Sequence, residues 1–253
     1  MIEIKDLYKS FGSKKVLQGV NLTINKGETM VIIGRSGCGK SVLLKHIIGL
    51  LEPDKGDIII EGKNIVTMSE KEIYELRAKF GFLFQGAALF DSMTVGENIG
   101  LALKENTSLS REQIAKVVAE KLNIVGLEGI EGMNPADLSG GMKKRVSLAR
   151  SLATDPEYIL YDEPTTGLDP VMSDQIDDLI TELANKLKVT SIVVTHDIFS
   201  VYDVADRVAM MHEGKIYFVG TPKELVQTQD RLIRDFLNRT DKSIDLEEEL
   251  KEG

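Results

Sequence analysis

The sequence is poor in the residues that build disulfides and zinc sites. It contains one cysteine, Cys38, so no disulfide can form within the chain. The three histidines, His46, His196 and His212, are scattered and show none of the Cys/His spacings of zinc sites. We therefore expect neither a disulfide scaffold nor a metal site built on histidine.

Long apolar runs and an excess of basic residues are also missing. Wholly apolar stretches reach only about five residues, against the roughly 20 needed to span a bilayer, and no apolar segment with a basic flank opens the chain. The formal net charge is −9 and the pI is ≈ 5.0, which argues against a nucleic-acid partner. The one basic cluster, residues 143–145, is interpreted as a solvated helix face. We expect a cytosolic protein that can dock on a membrane protein.

The most informative segment that is present is residues 34–41, Gly-Arg-Ser-Gly-Cys-Gly-Lys-Ser, which fits G-x-x-x-x-G-K-[ST] in full. An apolar run, 30–33, precedes it and an amphipathic run, 42–48, follows, as a strand–loop–helix unit requires. The glycines let several backbone N–H groups point at one anion, and the helix N-terminus adds partial positive charge. Lys40 supplies charge for the β- and γ-phosphates, and the Ser41 hydroxyl can bind Mg²⁺. The pattern predicts a site for a nucleoside triphosphate; the alternative is a glycine-rich turn that binds nothing.

A second segment, Tyr158–Glu163, is an apolar strand that ends in two acids. In a nucleotide site the first acid, Asp162, holds Mg²⁺ through a water molecule. The second, Glu163, is placed to polarise the attacking water. Strands often end in acids, so the prediction depends on the glycine loop upstream.

A third segment, Leu138–Met142, predicts a second helix start that binds phosphate. Ser139 can cap the helix and offer its hydroxyl, and two glycines follow it. With these motifs in order, the chain resembles the ATP-binding subunit of an ATP-binding cassette (ABC) transporter over about residues 1–237. The family signature reads L-S-G-G-Q, and Met142 departs from it at a mostly structural position. We therefore expect activity to be retained.

The resemblance implies roles for further residues. Phe11 resembles the aromatic that stacks on adenine, with Val16 beside it, although Phe11 could equally be a core aromatic. Gln85 resembles the glutamine that contacts Mg²⁺, and Asp169 lies in a loop that crosses a dimer interface. His196 resembles the histidine that contacts the γ-phosphate. The alternatives are a polar strand end for Gln85 and an incidental position for His196.

Together, pattern and resemblance give three sets of site residues. The predicted catalytic residues are Lys40, Gln85, Glu163 and His196. The predicted Mg²⁺ ligands are Ser41, Gln85 and Asp162. The predicted nucleotide contacts are Phe11, Val16, Gly34, Arg35, Ser36, Gly37, Cys38, Gly39, Lys40, Ser41, Val42, Ser139, Gly140, Gly141 and Asp169. Because Cys38 lies among N–H donors at a helix start, we expect its thiolate to be favoured; the alternative is a small, tolerated residue.

Strands that alternate with helices predict a mostly parallel sheet covered on both faces. The resemblance implies an α/β fold: a P-loop NTPase (RecA-like) core with an antiparallel β subdomain and an inserted α-helical subdomain. Residues 1–240 are then the ABC ATPase domain. Within it, 1–85 and 156–240 form the catalytic core with the β subdomain, and 86–155 form the helical subdomain. Residues 241–253 are an acidic tail.

Local signals mark individual elements. Ser110 and Gln113 form a capping box that predicts a helix toward Val125. The segment Ile58–Val66, apolar at both ends with a polar centre, predicts a hairpin. Thr221 followed by proline predicts a helix start.

The resemblance also implies partners. In the resembled fold the signature lies far from the glycine loop of its own chain. The signature and the glycine loop can therefore bind one ATP only in a head-to-tail homodimer. The stretch 86–98 would receive a coupling helix of an integral membrane permease. In the tail, Ile244, Leu246 and Leu250 could reach an accessory subunit; the alternative is a solvated end.

Within the family, the nearest resemblance is to the ATPases of Mce-associated lipid transporters of the Mla type. It is carried by residues 81–98, Met142 and residues 160–170. This resemblance implies phospholipid transport driven from the cytoplasmic face of the inner membrane. A small-solute importer or a lipoprotein-release ATPase would share the catalytic motifs. A soluble ABC ATPase would need a coiled-coil insertion or a second cassette, and neither is present.

Overall fold

A computed structural model describes residues 1–240, which form two β-sheets and nine α-helices. The strands are β1 Ile2–Phe11, β2 Lys14–Ile24, β3 Thr29–Gly34, β4 Lys55–Ile60, β5 Lys63–Asn64, β6 Phe80–Leu83, β7 Tyr158–Asp162, β8 Thr190–Val194, β9 Arg207–His212 and β10 Lys215–Gly220. The helices are α1 Lys40–Ile47, α2 Glu70–Arg77, α3 Val95–Asn106, α4 Arg111–Ile124, α5 Gly140–Ser151, α6 Pro170–Leu187, α7 Ile198–Val204, α8 Pro222–Gln227 and α9 Arg231–Thr240. The predicted tail contacts of Ile244, Leu246 and Leu250 lie outside the described residues.

The larger sheet has six strands in the order β10-β9-β3-β8-β7-β6. Five neighbouring strands, β9, β3, β8, β7 and β6, run parallel. The edge strand β10 pairs with β9 in the antiparallel direction. Every residue of β3, β7 and β8 is buried, because helices or the second sheet cover both faces. The predicted, mostly parallel sheet is confirmed.

Alternate residues of the central strands feed two separate cores. Val31 and Ile159 point to one face, where they join a cluster with helices α3 to α7. Ile32 and Leu160 point to the other, where they pack with α1 and the smaller sheet. All four side chains are fully buried, and each such burial stabilises the fold by roughly 1.5–3 kcal/mol. The central strands of the larger sheet are thus packed on both faces.

The smaller sheet is antiparallel, in the order β2-β1-β4-β5, and its first hairpin reaches the glycine loop. Gln18 on β2 donates a backbone hydrogen bond of 2.8 Å to the Gly214 carbonyl in the β9–β10 turn. Gly214 has φ 75°, and a Cβ there would lie 2.5 Å from the Val16 carbonyl oxygen. Glycine is therefore required where the two sheets meet, and this close approach holds Val16 against the β9–β10 turn.

Several local predictions can be compared with the elements. The helix from Ser110 is confirmed as α4, with both hydrogen bonds of its capping box formed. The start of α8 after Thr221 is also confirmed. The hairpin at Ile58–Val66 is only partly right: β5 has two residues, and Ile65–Thr67 turns into a short 3₁₀ segment. Between residues 1 and 240, no helix has both the length and the apolarity to cross a bilayer.

Candidate functional site

Four neighbouring parallel strands bring the predicted catalytic residues to one edge of the sheet. The glycine loop follows β3, His196 follows β8, Glu163 follows β7 and Gln85 follows β6. Carboxyl ends of parallel strands meet at the same edge, which is where ligands bind in such sheets. The predicted catalytic residues surround a cavity of about 490 Å³. Its lining consists of Gly34, Arg35, Ser36, Lys40, Gln85, Glu163, His196 and Phe236.

The backbone of the glycine loop can be made only with glycine at two positions. A Cβ at Gly34 would lie 2.5 Å from the Met211 carbonyl oxygen. Gly39 precedes α1 with φ 110°, and a Cβ there would lie 2.9 Å from a methyl carbon of Leu17. Within the described chain, no side chain caps the first turn of α1. Its N–H groups are therefore available to an anion such as a phosphate.

Lys40 carries the positive charge next to this loop, and it is buried, with only 6 % of its surface exposed. Its Nζ donates a 2.8 Å hydrogen bond to the Gly34 carbonyl and lies 3.6 Å from Oε1 of Glu163. Removing an ammonium group from water is costly unless it has anionic partners. Glu163 is one such partner, and a triphosphate in the cavity would be a second.

The predicted magnesium ligands divide into a close pair and a flanking residue. The Ser41 hydroxyl donates a 2.7 Å hydrogen bond to Oδ1 of Asp162. Burial raises the pKa of Asp162, and the bond from Ser41 acts in the opposite direction. Oxygen ligands of this kind suit Mg²⁺, whose charge would also hold the carboxyl ionised. Gln85 is exposed and lines a second cavity together with Ser41, so the oxygen-bearing residues present fit the ion.

The Glu163 carboxylate is held by its neighbours. Oε2 lies 2.6 Å from Nδ1 of His196 and accepts a 3.2 Å hydrogen bond from the Thr166 hydroxyl. The residue has φ 53°, a conformation that costs a non-glycine residue about 1–3 kcal/mol, and its N–H donates to the Val194 carbonyl at 2.8 Å. A carboxylate fixed in this way, with a histidine beside it, can act as a general base.

A second cavity of about 360 Å³ adjoins the first on the side of the small sheet. It is lined by Phe11, Lys14, Val16, Ser36, Gly37, Gly39, Lys40, Ser41, Val42, Gln85 and Glu163. The Phe11 side chain is 47 % exposed, so the alternative of a core aromatic is wrong. An exposed ring at the rim of a phosphate cradle can stack on a planar base.

The signature segment, Leu138–Met142, lies elsewhere. Ser139 caps α5 by accepting a 3.2 Å hydrogen bond from the Met142 N–H. Gly140 and Gly141 face the loop around Asp169. None of these predicted nucleotide contacts lines either cavity of the described chain. One copy therefore brings together the glycine-loop half of the predicted site, and the signature half lines neither of its two cavities.

Lys144 was not among the predicted site residues. The interpretation of residues 143–145 as a solvated helix face is wrong, because Lys144 is 5 % exposed. Its Nζ donates to the carbonyl oxygens of Gln85 and, at 3.3 Å, of Glu163. Desolvation lowers the pKa of this ammonium group. Its spacing of one helical turn from buried Leu148 is the signal that could have revealed it.

Two further side chains on the same face of α5 bind the segment after Gln85. The Ser147 hydroxyl donates a 2.7 Å hydrogen bond to the Ala87 carbonyl. Arg150 donates to the Ala87 carbonyl at 2.9 Å and the Ala88 carbonyl at 2.7 Å. Both alanines have positive φ, of 59° and 49°. Helix α5 thus holds the strained beginning of the stretch 86–98.

Cys38 differs from its prediction. Burial raises the pKa of its thiol, and the nearby charge of Lys40 only partly opposes this effect. The expectation of a favoured thiolate is therefore wrong. A Cβ at Gly34 would lie 2.8 Å from the Cys38 sulfur. The space at position 38 therefore suits a small side chain.

Comparison with known proteins finds relatives that are ATP-binding proteins of transport systems. The family model described as ABC transporter matches residues 17–166. The probable ribonucleotide transport ATP-binding protein mkl of Mycobacterium tuberculosis is 45 % identical over 238 residues, 94 % of this chain and 66 % of that protein. The intermembrane phospholipid transport system ATP-binding protein MlaF of Haemophilus influenzae is 40 % identical over 237 residues, 94 % of this chain and 90 % of MlaF.

A solved structure supports the same conclusion. The ATP-binding cassette MJ0796, as a dimer in a post-hydrolysis state bound to ADP and Pi, matches with a TM-score of 0.81 at 33 % identity. The match covers 88 % of this chain and 99 % of that one. The chain spans just under two thirds of the mycobacterial relative. Its fold is the ABC ATPase fold, and the chain belongs to the ABC transporter family.

Proposed function

We propose that the chain is the ATP-hydrolysing subunit of an ABC transporter that moves lipid. The observation that carries the hydrolytic role is the Glu163 carboxylate, held between Lys40 and His196 at the mouth of the glycine-loop cavity. A site that only bound nucleotide would not need a base fixed at that place.

The proposed mechanism assigns each group one task. The loop 34–41 and Lys40 hold the β- and γ-phosphates of ATP, while Ser41 and Asp162 hold Mg²⁺. When bound, the ion neutralises negative charge on the phosphates. Glu163 orients a water molecule for in-line attack and takes its proton, and His196 fixes that carboxylate. Positioning and charge stabilisation provide the rate, and loss of one such contact typically costs ~10²–10³-fold.

We propose that two copies pair head to tail and complete each other's sites. Ser139 and Gly141 of one copy would contact the γ-phosphate held by Lys40 of the other. The support is that the two predicted phosphate-binding helix starts share no cavity in the described chain, and that the related cassette forms a dimer. Asp169 would lie at the seam between the copies.

For the transported substrate, the lipid assignment rests on the Mla-type resemblance and on MlaF, which acts in phospholipid transport. A second candidate is a ribonucleotide, because the similar mycobacterial protein is described as a probable ribonucleotide transporter component. A small-solute importer and a lipoprotein-release ATPase remain further alternatives, since their catalytic motifs are the same.

We also propose peripheral attachment at the cytoplasmic face of the inner membrane, through residues 86–98 and a permease. The 50 % exposed Phe90 within that stretch offers an apolar contact. The domain division stays a proposal; it is supported by helices being the regular elements between 86 and 155. The accessory-subunit contact concerns residues 241–253, outside the described range.

The test is to purify the full chain from membranes with the protein that copurifies, and to identify bound lipid by mass spectrometry. ATP hydrolysis by this complex is then measured with phospholipid vesicles or with ribonucleotides as the added substrate. The proposal predicts turnover that phospholipid stimulates. Stimulation by ribonucleotides alone would favour the second candidate, and absence of ATP hydrolysis would contradict both.

A further inference from the structure

Helix α7, which follows His196, is fixed to helix α6 by a buried side-chain contact. The Ser200 hydroxyl donates a 2.6 Å hydrogen bond to Oδ2 of Asp177. Ser200 is fully buried, and Asp177 is only 2 % exposed. Neither residue lines a cavity of the site. The proposed mechanism gives this buried carboxyl group no task, although burying it is costly.

Both helices begin at segments that the proposed site uses. Helix α6 begins directly after Asp169, and α7 begins two residues after His196. A second bond ties the pair one turn further on, where the Thr181 hydroxyl donates to the Asp203 carbonyl at 3.1 Å. Because α7 has only seven residues, these two bonds hold it along most of its length.

We infer that Asp177 is a positioning residue: its bond to Ser200 holds α7 against α6 and thereby keeps His196 beside the Glu163 carboxylate. The inference rests on the proposed function, because the 2.6 Å contact between His196 and Glu163 matters for turnover only if this site hydrolyses ATP. The same bond gives a direct path by which a shift at Asp169 in a dimer interface would move His196.

The charge state of Asp177 should modulate the contact. Burial raises the pKa of this carboxyl to about 7; the bond from Ser200 lowers it, and the carboxylates of Asp197, Asp203 and Asp174 raise it. Oδ1 of Asp177 has no hydrogen-bond partner among the described residues. Above neutral pH the group is therefore an ionised, incompletely paired carboxylate between two helices, which disfavours their packing.

The experiment compares ATP turnover by the full wild-type chain, Asp177→Asn and Asp178→Asn from about pH 6 to about pH 9. Asn keeps the shape and an acceptor for Ser200 but cannot ionise. Asp178 is exposed on the same helix, so its variant is a matched control for lost charge. We expect the ratio of Asp177→Asn to wild-type kcat to rise by roughly threefold or more across this range, with KM for ATP unchanged. Asp178→Asn should follow the wild type.

A second variant tests the bond itself. Ser200→Ala should lower kcat without changing KM, and combining it with Asp177→Asn should be non-additive, because both changes act on one contact. Equal pH profiles for Asp177→Asn and wild type, or a change that Asp178→Asn shares, would overturn the inference while ATP hydrolysis stands. A wild-type chain that hydrolyses no ATP would overturn the proposed function and the inference together.

Discussion

At the scale of single residues, the main feature of the site is that neighbouring groups fix the conformation of Glu163. Glu163 accepts hydrogen bonds through one carboxylate oxygen and faces the Lys40 ammonium with the other. Its backbone is itself constrained, with φ 53°. A carboxylate fixed on both sides loses little freedom when a substrate binds, which favours catalysis over a merely structural role.

Replacing Glu163 with glutamine should separate binding from chemistry. The amide preserves shape and a carbonyl oxygen but cannot accept a proton from water. We expect Glu163→Gln to bind ATP with the affinity of the wild type and to hydrolyse it roughly 10²–10⁴-fold more slowly. Nucleotide titration and a phosphate-release assay measure the two quantities. Normal turnover in this variant would remove Glu163 from the proposed role.

Cys38 provides a direct readout of its own environment because it is the sole cysteine. Since burial raises the pKa of its thiol, little thiolate exists at neutral pH. We expect alkylation by iodoacetamide to be slower than that of free cysteine at neutral pH and to accelerate as the solution becomes more alkaline. Intact-mass spectrometry follows the reaction. Labelling as fast as that of free cysteine would contradict the burial of this thiol.

Most residues that line the candidate cavity could be singled out from the sequence because their signals are local. A glycine-rich loop after an apolar strand, or acids at a strand end, express their chemistry in adjacent positions. Lys144 was missed because its role arises from packing: nothing adjacent to it shows that α5 turns this side chain toward the carbonyls of Gln85 and Glu163. The raised pKa of Cys38 has the same origin, since burial is a tertiary property.

At the scale of elements, α5 connects the signature segment with the segments that follow β6 and β7. Its N-terminus carries Ser139, and its inner face carries Lys144, Ser147 and Arg150 at intervals of three residues. These three side chains bind backbone carbonyls from Gln85 onward. A movement of the signature against a second copy would therefore be transmitted to the stretch 86–98.

Removing the bonds of Lys144 should loosen this connection. In Lys144→Met the apolar stem is kept and the ammonium group is lost. We expect a fall of about 1–3 kcal/mol in the free energy of unfolding, together with slower ATP hydrolysis. Urea unfolding measures the first effect. The matched control is Lys143→Met, on the half-exposed neighbouring position, which should behave as the wild type. Equal stability of the two variants would contradict this role.

The helix starts that we predicted from local caps at Ser110 and Thr221 are confirmed, whereas two elements fixed by tertiary contacts were not predicted. The capping box at Ser110 marked α4 almost to the residue. The segment Ile65–Thr67 has apolar residues that suit a strand, but it packs against the small-sheet core as a 3₁₀ turn. The seven-residue α7 is too short for periodicity to mark it, and its bonds to α6 define it instead.

At the scale of the whole molecule, the two halves of the predicted site line no common cavity within residues 1–240. The cavities collect the glycine loop, Gln85, Glu163 and His196, and the signature lies outside both. The sequence could indicate that the signature lies outside these cavities only through the family resemblance, because the distance in space between two motifs depends on the fold. The proposed head-to-tail dimer would supply the signature from a second copy.

The most direct test of this shared site is to mix two inactive variants. Lys40→Ala removes the phosphate-binding cation, and Ser139→Asp keeps the helix cap but repels a phosphate. Each variant alone should be inactive. In a mixed head-to-tail dimer one of the two sites regains both wild-type residues, so an equal mixture should recover up to about a quarter of wild-type ATP hydrolysis. No recovery in the mixture, or full hydrolysis by wild-type chains shown to be monomeric, would contradict the account.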